Sequence, residues 1–156
     1  DKNKRNWTFK NVVEVSAKRT MLKEKELEQK DPKLSNKGRV IIVEDDDFLR
    51  GLLSHNMMDA GFNVKPACDA ETAFKLLRVF KPDIVLLDLI LPGMNGFDFL
   101  QEIKQKEKND FPVLVLSNLG SQEDIDTAKA LGAVDFLIKA NVTPGQIVEK
   151  VNLLLG

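Results

Sequence analysis

Short blocks of apolar residues recur along the chain. Val40–Val43, Ile84–Leu87 and Val113–Leu116 contain no polar residue. Blocks of that length, bounded by turn residues, fit strands covered on both faces. Longer segments with helical periodicity lie between them. Asp46–Ala60 brings Phe48, Leu49, Leu52, Leu53, Met57 and Met58 together, and Gly61 ends it. Phe62–Ala67 is a weaker strand. Asp69 caps a helix that runs through Phe80, with Ala73, Leu76, Leu77 and Phe80 on one face, and Pro82 stops it. Asn95–Glu107 turns Phe97, Leu100 and Ile103 inward. Ser121–Leu131 is a helix closed by Gly132, Val134–Ile138 a fifth strand, and Thr143–Leu155 a last helix with Pro144 in its first turn. Five strands alternating with five helices predict a parallel sheet with helices on both faces.

Composition changes this picture at one end only. The 156 residues carry a formal net charge of -1. Residues 1–36 hold ten Lys/Arg against six Asp/Glu, and residues 37–156 hold thirteen against eighteen. Neutrality therefore hides a basic extension and an acidic body. Asp31-Pro32 and the stretch Leu34-Ser35-Asn36-Lys37-Gly38 read as a linker. Ser16–Lys30 has helix-favouring composition, whereas Trp7, Phe9, Val13 and Val15 fall on strand-like alternate positions. One Cys and one His exclude an internal disulfide and argue against a zinc site. Cys68 is expected to be a small buried hydrophobe, and His55 a solvent-facing or packing residue. No apolar run approaches the ~18–20 residues of a membrane span, and no secretory signal is visible; a cytoplasmic location is expected.

Candidate chemistry gathers where the strands end. The first ends in Glu44-Asp45-Asp46-Asp47, the third in Asp88, the fourth in Ser117-Asn118 and the fifth in Lys139. In sheets of this type ligands bind at the carboxyl ends of the strands. Asp46 and Asp47 read as cap and first-turn residues. Glu44, Asp45 and Asp88 would repel one another unless a cation neutralises them. An oxygen-only donor set points to Mg²⁺. A carboxylate nucleophile, a metal, a lysine and a hydroxyl together suit phosphoryl transfer to Asp88. The chain lacks G-x-G-x-x-G, P-loop and G-x-S-x-G signatures, so dinucleotide, nucleotide and hydrolase readings do not fit.

Four motifs, in order, now carry a family resemblance. They are Val40-Ile-Ile-Val-Glu-Asp-Asp-Asp, Pro82-Asp-Ile-Val-Leu-Leu-Asp-Leu-Ile-Leu-Pro-Gly-Met-Asn-Gly96, Val113-Leu-Val-Leu-Ser117 and Gly132-Ala-Val-Asp-Phe-Leu-Ile-Lys139. The chain resembles a response-regulator receiver domain of two-component signalling, close in kind to the chemotaxis regulators. The resemblance implies a flavodoxin-like, doubly wound, five-stranded parallel sheet in the order 2-1-3-4-5 over residues 38–156. Residues 1–37 would form a basic N-terminal extension, partly helical, as a linker or oligomerisation element. By the same resemblance Asp88 is the phosphoacceptor. Asp45, Asp88 and the backbone carbonyl of Ile90 ligate Mg²⁺, with Glu44 acting through water. Ser117 and Lys139 meet the phosphoryl group, and Phe136 is the switch aromatic, although its position suits static core equally well. The phosphoryl donor would be a histidine kinase or phosphotransfer protein. Output would pass through the face of the fourth helix, fifth strand and fifth helix, to a partner protein or a self-dimer. Such a protein is regulatory and acts only on its own phosphoryl transfer and dephosphorylation.

The chain departs from the family pattern in three places. Asn118 follows the hydroxyl position, Ala140 follows Lys139 in place of proline, and Phe136 has no hydroxyl. The 139–140 peptide is therefore either trans or strained, because a non-proline cis bond costs ~2.5–4 kcal/mol. Ile90 and Leu119 flank the acceptor by resemblance and should hinder attacking water. The alternative function is a phosphorylation-independent interaction or dimerisation module. Nucleic-acid or membrane binding by the extension is disfavoured, since six acids interleave its ten bases.

Overall fold

The computed structural model describes residues 36–106 and 111–156. Expectations for the N-terminal extension, and for Glu107 at the end of the third helix, lie outside these residues. The described order is β1 (Arg39–Val43), α1 (Asp47–Asp59), β2 (Asn63–Ala67), α2 (Ala70–Phe80), β3 (Ile84–Leu87), α3 (Gly96–Lys106), β4 (Val113–Ser117), α4 (Gln122–Ala130), β5 (Asp135–Ile138) and α5 (Pro144–Leu155). A three-residue 3₁₀ turn, Lys139–Asn141, follows β5. All strand pairs are parallel, in the order β2-β1-β3-β4-β5.

The β-branched and leucine blocks form the centre of the sheet. Successive side chains of a strand point to opposite faces, so a wholly apolar strand feeds two cores. Ile41, Val43, Val85, Leu87, Val113 and Val115 pack with Ala73 and Leu77 of α2, Phe99 and Ile103 of α3, and Ala128 of α4. Val40, Ile42, Ile84, Leu86, Leu114 and Leu116 pack on the other face with Leu53 and Met57 of α1 and with Ile147 and Val151 of α5. Each fully buried Val, Leu, Ile, Met or Phe among them contributes ~1.5–3 kcal/mol. Phe99, fully buried in the first core, was not among the expected inward residues.

Helix starts follow the caps that the sequence announces. The carboxylates of Asp46 and Asp69 accept the amides of Leu49 and Thr72, and the Ser121 hydroxyl accepts that of Asp124. Thr143 and Gln146 form a reciprocal capping box at α5. β2 is an edge strand, where Pro66 costs no ladder bond. Cys68 corrects an expectation. It is exposed, with its thiol 3.6 Å from Asp69 Oδ2, because β2 ends at the sheet's edge with no further strand to cover it. His55 is exposed and lies 3.1 Å from Asp59, in keeping with a solvent-facing role.

One glycine holds the loop between β3 and α3 shut. The Gly96 amide donates to the Leu89 carbonyl at 2.9 Å. A Cβ at Gly96 would stand 2.3 Å from Leu89 Cα and 2.5 Å from its carbonyl oxygen. Main chain cannot yield as a side-chain tip can. Gly96→Ala is therefore expected to destabilise the protein by about 1–3 kcal/mol, measured as a lowered midpoint in urea. An unchanged midpoint would show that the loop relaxes freely.

Candidate functional site: an acidic rim with a resident lysine

The strand register builds the site. Val43 pairs with Leu87, so the next residues, Glu44 and Asp88, leave the sheet side by side at its carboxyl edge. The Glu44 amide still reaches Ala67, and the Asp88 amide reaches Val43, so both departures are pinned by the neighbouring strand. Two strands away Ser117 pairs with Ile138, which places Lys139 just beyond the same edge. Glu44, Asp45 and Asp88 each offer a carboxylate oxygen within 4.8 Å of the others. Glu44 and Asp88 are buried and Asp45 is exposed.

Lys139 closes this cluster. Its Nζ lies 2.6 Å from Glu44 Oε2 and 2.7 Å from Asp88 Oδ2. The other oxygens are used as well: Asp46 N donates to Glu44 Oε1 at 3.1 Å, and Ile90 N donates to Asp88 Oδ1 at 3.0 Å. Burial and the nearby Asp88 charge push the Glu44 pKa above the ordinary carboxylate value, against the pull of Lys139 and the Asp46 amide. Burial would lower the Lys139 pKa, but its bonds to Asp88 and Glu44 outweigh that and raise it. The lysine therefore stays charged, and Glu44 takes a proton more readily than a free carboxylate. No cis peptide occurs among the described residues, so the 139–140 bond is trans and Lys139 opens the 3₁₀ turn.

The remaining expected residues sit around this core. Ser117 is fully buried at the end of β4, and its Oγ accepts the Leu119 amide at 3.3 Å. Phe136 is buried in the core shared by α2, α3 and α4. Ser117 continues the face of Val113 and Val115, and Val115 pairs with Phe136, so hydroxyl and aromatic share one side of the sheet. Ile90 is half exposed at the rim, whereas Leu119 packs against the core containing Phe136. Sequence reasoning missed Arg50. It lies one helical turn beyond the Asp46 cap, and its guanidinium bonds to the carbonyls of Glu44 and Asp45. Nothing local marks it, since the contact exists only once the β1–α1 loop folds back on the helix.

Chemically, the donor set is oxygen only, and both buried acids are adjacent to an exposed third. That combination fits a hard divalent cation with part of its hydration shell retained. The fixed lysine fits anionic oxygens arriving beside Asp88.

Comparison with known proteins agrees. Residues 40–152 match the family model described as the response regulator receiver domain. The chain is 36% identical over 115 residues to the chemotaxis protein CheY of Thermotoga maritima, covering 73% of this chain and 94% of that protein. It is also 36% identical over 102 residues to the DNA-binding dual master transcriptional regulator RpaA of Synechocystis, covering 65% of this chain and 42% of that protein. The chain spans about half the length of the transcriptional regulators that it matches. Among solved structures, CheY4 of Vibrio cholerae superposes with a TM-score of 0.70 at 28% identity, covering 76% of this chain and 99% of that one. Motifs, sheet order, rim and relatives converge: the chain belongs to the response regulator receiver domain family.

Proposed function

We propose that the protein is a phospho-acceptor switch in which Asp88 receives a phosphoryl group from the phosphohistidine of a kinase or phosphotransfer protein. The observation that carries this reading is the buried Asp88 carboxylate, held beside Glu44 and Asp45 and bonded to Lys139. Asp88 Oδ attacks phosphorus, the P–N bond breaks, and the imidazole leaves with the bonding electron pair and takes up a proton. Asp45, Asp88 and the Ile90 carbonyl would hold Mg²⁺, with Glu44 acting through water. Once bound, that ion would neutralise the acids and shield the incoming oxygens. Lys139 would transfer its bond from the Asp88 carboxylate to a phosphoryl oxygen, so positive charge is already in place as the anion forms. Ser117 Oγ would exchange the Leu119 amide for the phosphoryl group. Because Ser117 and Phe136 share a face of the sheet, that exchange would bias the packing of Phe136. The altered face would then meet a partner protein or a second copy, in the cytoplasm, with residues 38–156 as the receiver unit.

The test is incubation with acetyl phosphate, with and without Mg²⁺, followed by mass mapping of the modified peptide. A single adduct on Asp88 that requires the divalent ion is expected. Modification at another carboxylate, or none, would sink the proposal. Lifetime offers a finer check. Ile90 is the apolar side chain at the rim, so Ile90→Asn should admit water and shorten the aspartyl-phosphate half-life several-fold. Leu119, partly buried against the core, would shield the acceptor alongside Ile90. An equal half-life in wild type and Ile90→Asn would contradict this.

A further inference from the structure

The acids at the end of β1 are only as well placed as the loop that carries them, and that loop has an anchor in α1. After Val43 the chain leaves the sheet. Arg50 then bonds to every one of the next four residues. Its Nη1 donates to the carbonyls of Glu44 at 3.0 Å and Asp45 at 3.3 Å, and its Nη2 meets Asp47 Oδ1 at 2.5 Å. Its backbone amide donates to the Asp46 carbonyl at 2.8 Å. The Arg50 side chain is 20% exposed, while Asp47 is 89% exposed. The inner half of this arrangement is thus the grip on two backbone carbonyls, and the outer half is a solvated ion pair.

We infer that Arg50 is a positioning residue for the acidic pair: by clamping the carbonyls of Glu44 and Asp45 to α1, it fixes how both carboxylates face a divalent cation. The inference rests on the phospho-acceptor reading and deepens it. Two effects of Arg50 oppose each other. Its positive charge, through space, disfavours a cation at the acids. Its Nη1, aimed at both carbonyls by the planar guanidinium, organises them through the backbone. An ammonium keeps the charge but lacks the rigid plane that aims that nitrogen, so the two effects separate by substitution. Outer partners of metal ligands typically matter by 10–100-fold in affinity.

The experiment titrates Mg²⁺ into the full chain and follows the backbone amide resonances of Asp45 and Ile90. It compares wild type, Arg50→Lys, Arg50→Gln and Asp47→Asn. Both Arg50 variants are expected to bind Mg²⁺ roughly 10-fold more weakly. Asp47→Asn should change binding by no more than about twofold, because exposed ion pairs contribute little. In acetyl phosphate labelling, the Arg50 variants should approach the wild-type rate at saturating Mg²⁺. Unchanged or tighter binding in Arg50→Gln would overturn the inference. So would wild-type affinity in Arg50→Lys, which would show that the guanidinium's hold on the two carbonyls does not set the acids, or a rate that stays low at saturating Mg²⁺. Should Arg50→Gln fail to fold, Arg50→Lys decides the matter by itself. A wild-type protein that binds Mg²⁺ but accepts no phosphoryl group would defeat the acceptor reading while leaving the Arg50 comparison intact.

Discussion

Asp88→Asn is expected to abolish the covalent adduct formed with acetyl phosphate, with no smaller adduct elsewhere. The amide is nearly isosteric, and its carbonyl oxygen can still accept one of the bonds that Lys139 and Ile90 now give to the carboxylate. What it lacks is an anionic oxygen, so no acyl phosphate can form. The fold should survive, because the substituted side chain would remain hydrogen-bonded at a position that is only 5% exposed in wild type. Intact mass after labelling reads the result, and a residual adduct at the wild-type level would refute the acceptor assignment. The same variant separates the two functional readings. A receiver that signals through phosphorylation should lose the labelling-dependent change in partner binding or self-association. A phosphorylation-independent module would bind identically before and after.

Lys139→Met should have the next largest effect, and on stability as well as chemistry. Glu44 and Asp88 are both nearly inaccessible, and Lys139 bridges them. Removing one member of a buried ionic group leaves the others uncompensated, at a cost of about 3 kcal/mol. Thermal unfolding in a chelator should therefore show a clear loss, and added Mg²⁺ should return part of it by supplying the missing charge. The labelling rate should also fall by roughly 100-fold, the usual effect of deleting one donor to a developing anion. Equal stability of variant and wild type in chelator would show that the two acids carry no net charge there.

The pH dependence follows from the same geometry. The Lys139 pKa is raised, so its stabilisation is fully present below the ordinary lysine value of 10.5 and is lost only as pH climbs through the raised one. The Glu44 pKa is also raised, above 4.5, so the native state binds the extra proton there. Stability of the metal-free protein should accordingly fall as pH rises through the window just above 4.5.

Much of this was legible in the sequence, for a definite reason. Ile84–Leu87 and Val113–Leu116 are buried on both faces, and such strands need no polar residue, so their ends are marked by the first polar side chain. Asp88 and Ser117 were found in that way, although Ser117 itself completes β4. The caps Asp46, Asp69 and Ser121 were visible because their chemistry is local. Other features depended on contacts across the fold. Arg50 reads as an ordinary polar helix residue until the β1–α1 loop folds back on it. Cys68 reads as core until β2 proves to be an edge. The 3₁₀ turn at Lys139–Asn141 has no periodicity of its own to reveal it.

The sheet also works as a bulkhead. Ser117, Leu119 and Phe136 lie on the side packed by α2, α3 and α4, whereas α1 and α5 enclose a separate core behind it. A hydroxyl that shifts slightly presses on neighbours in its own compartment and meets a stiff, fully bonded wall on the other side. Rearrangement that begins at the hydroxyl should therefore spread sideways into α4 before it reaches α5. Among the described residues, α4 is the helix with the fewest apolar anchors in that compartment, held by Ala128 with Ile125 partly buried.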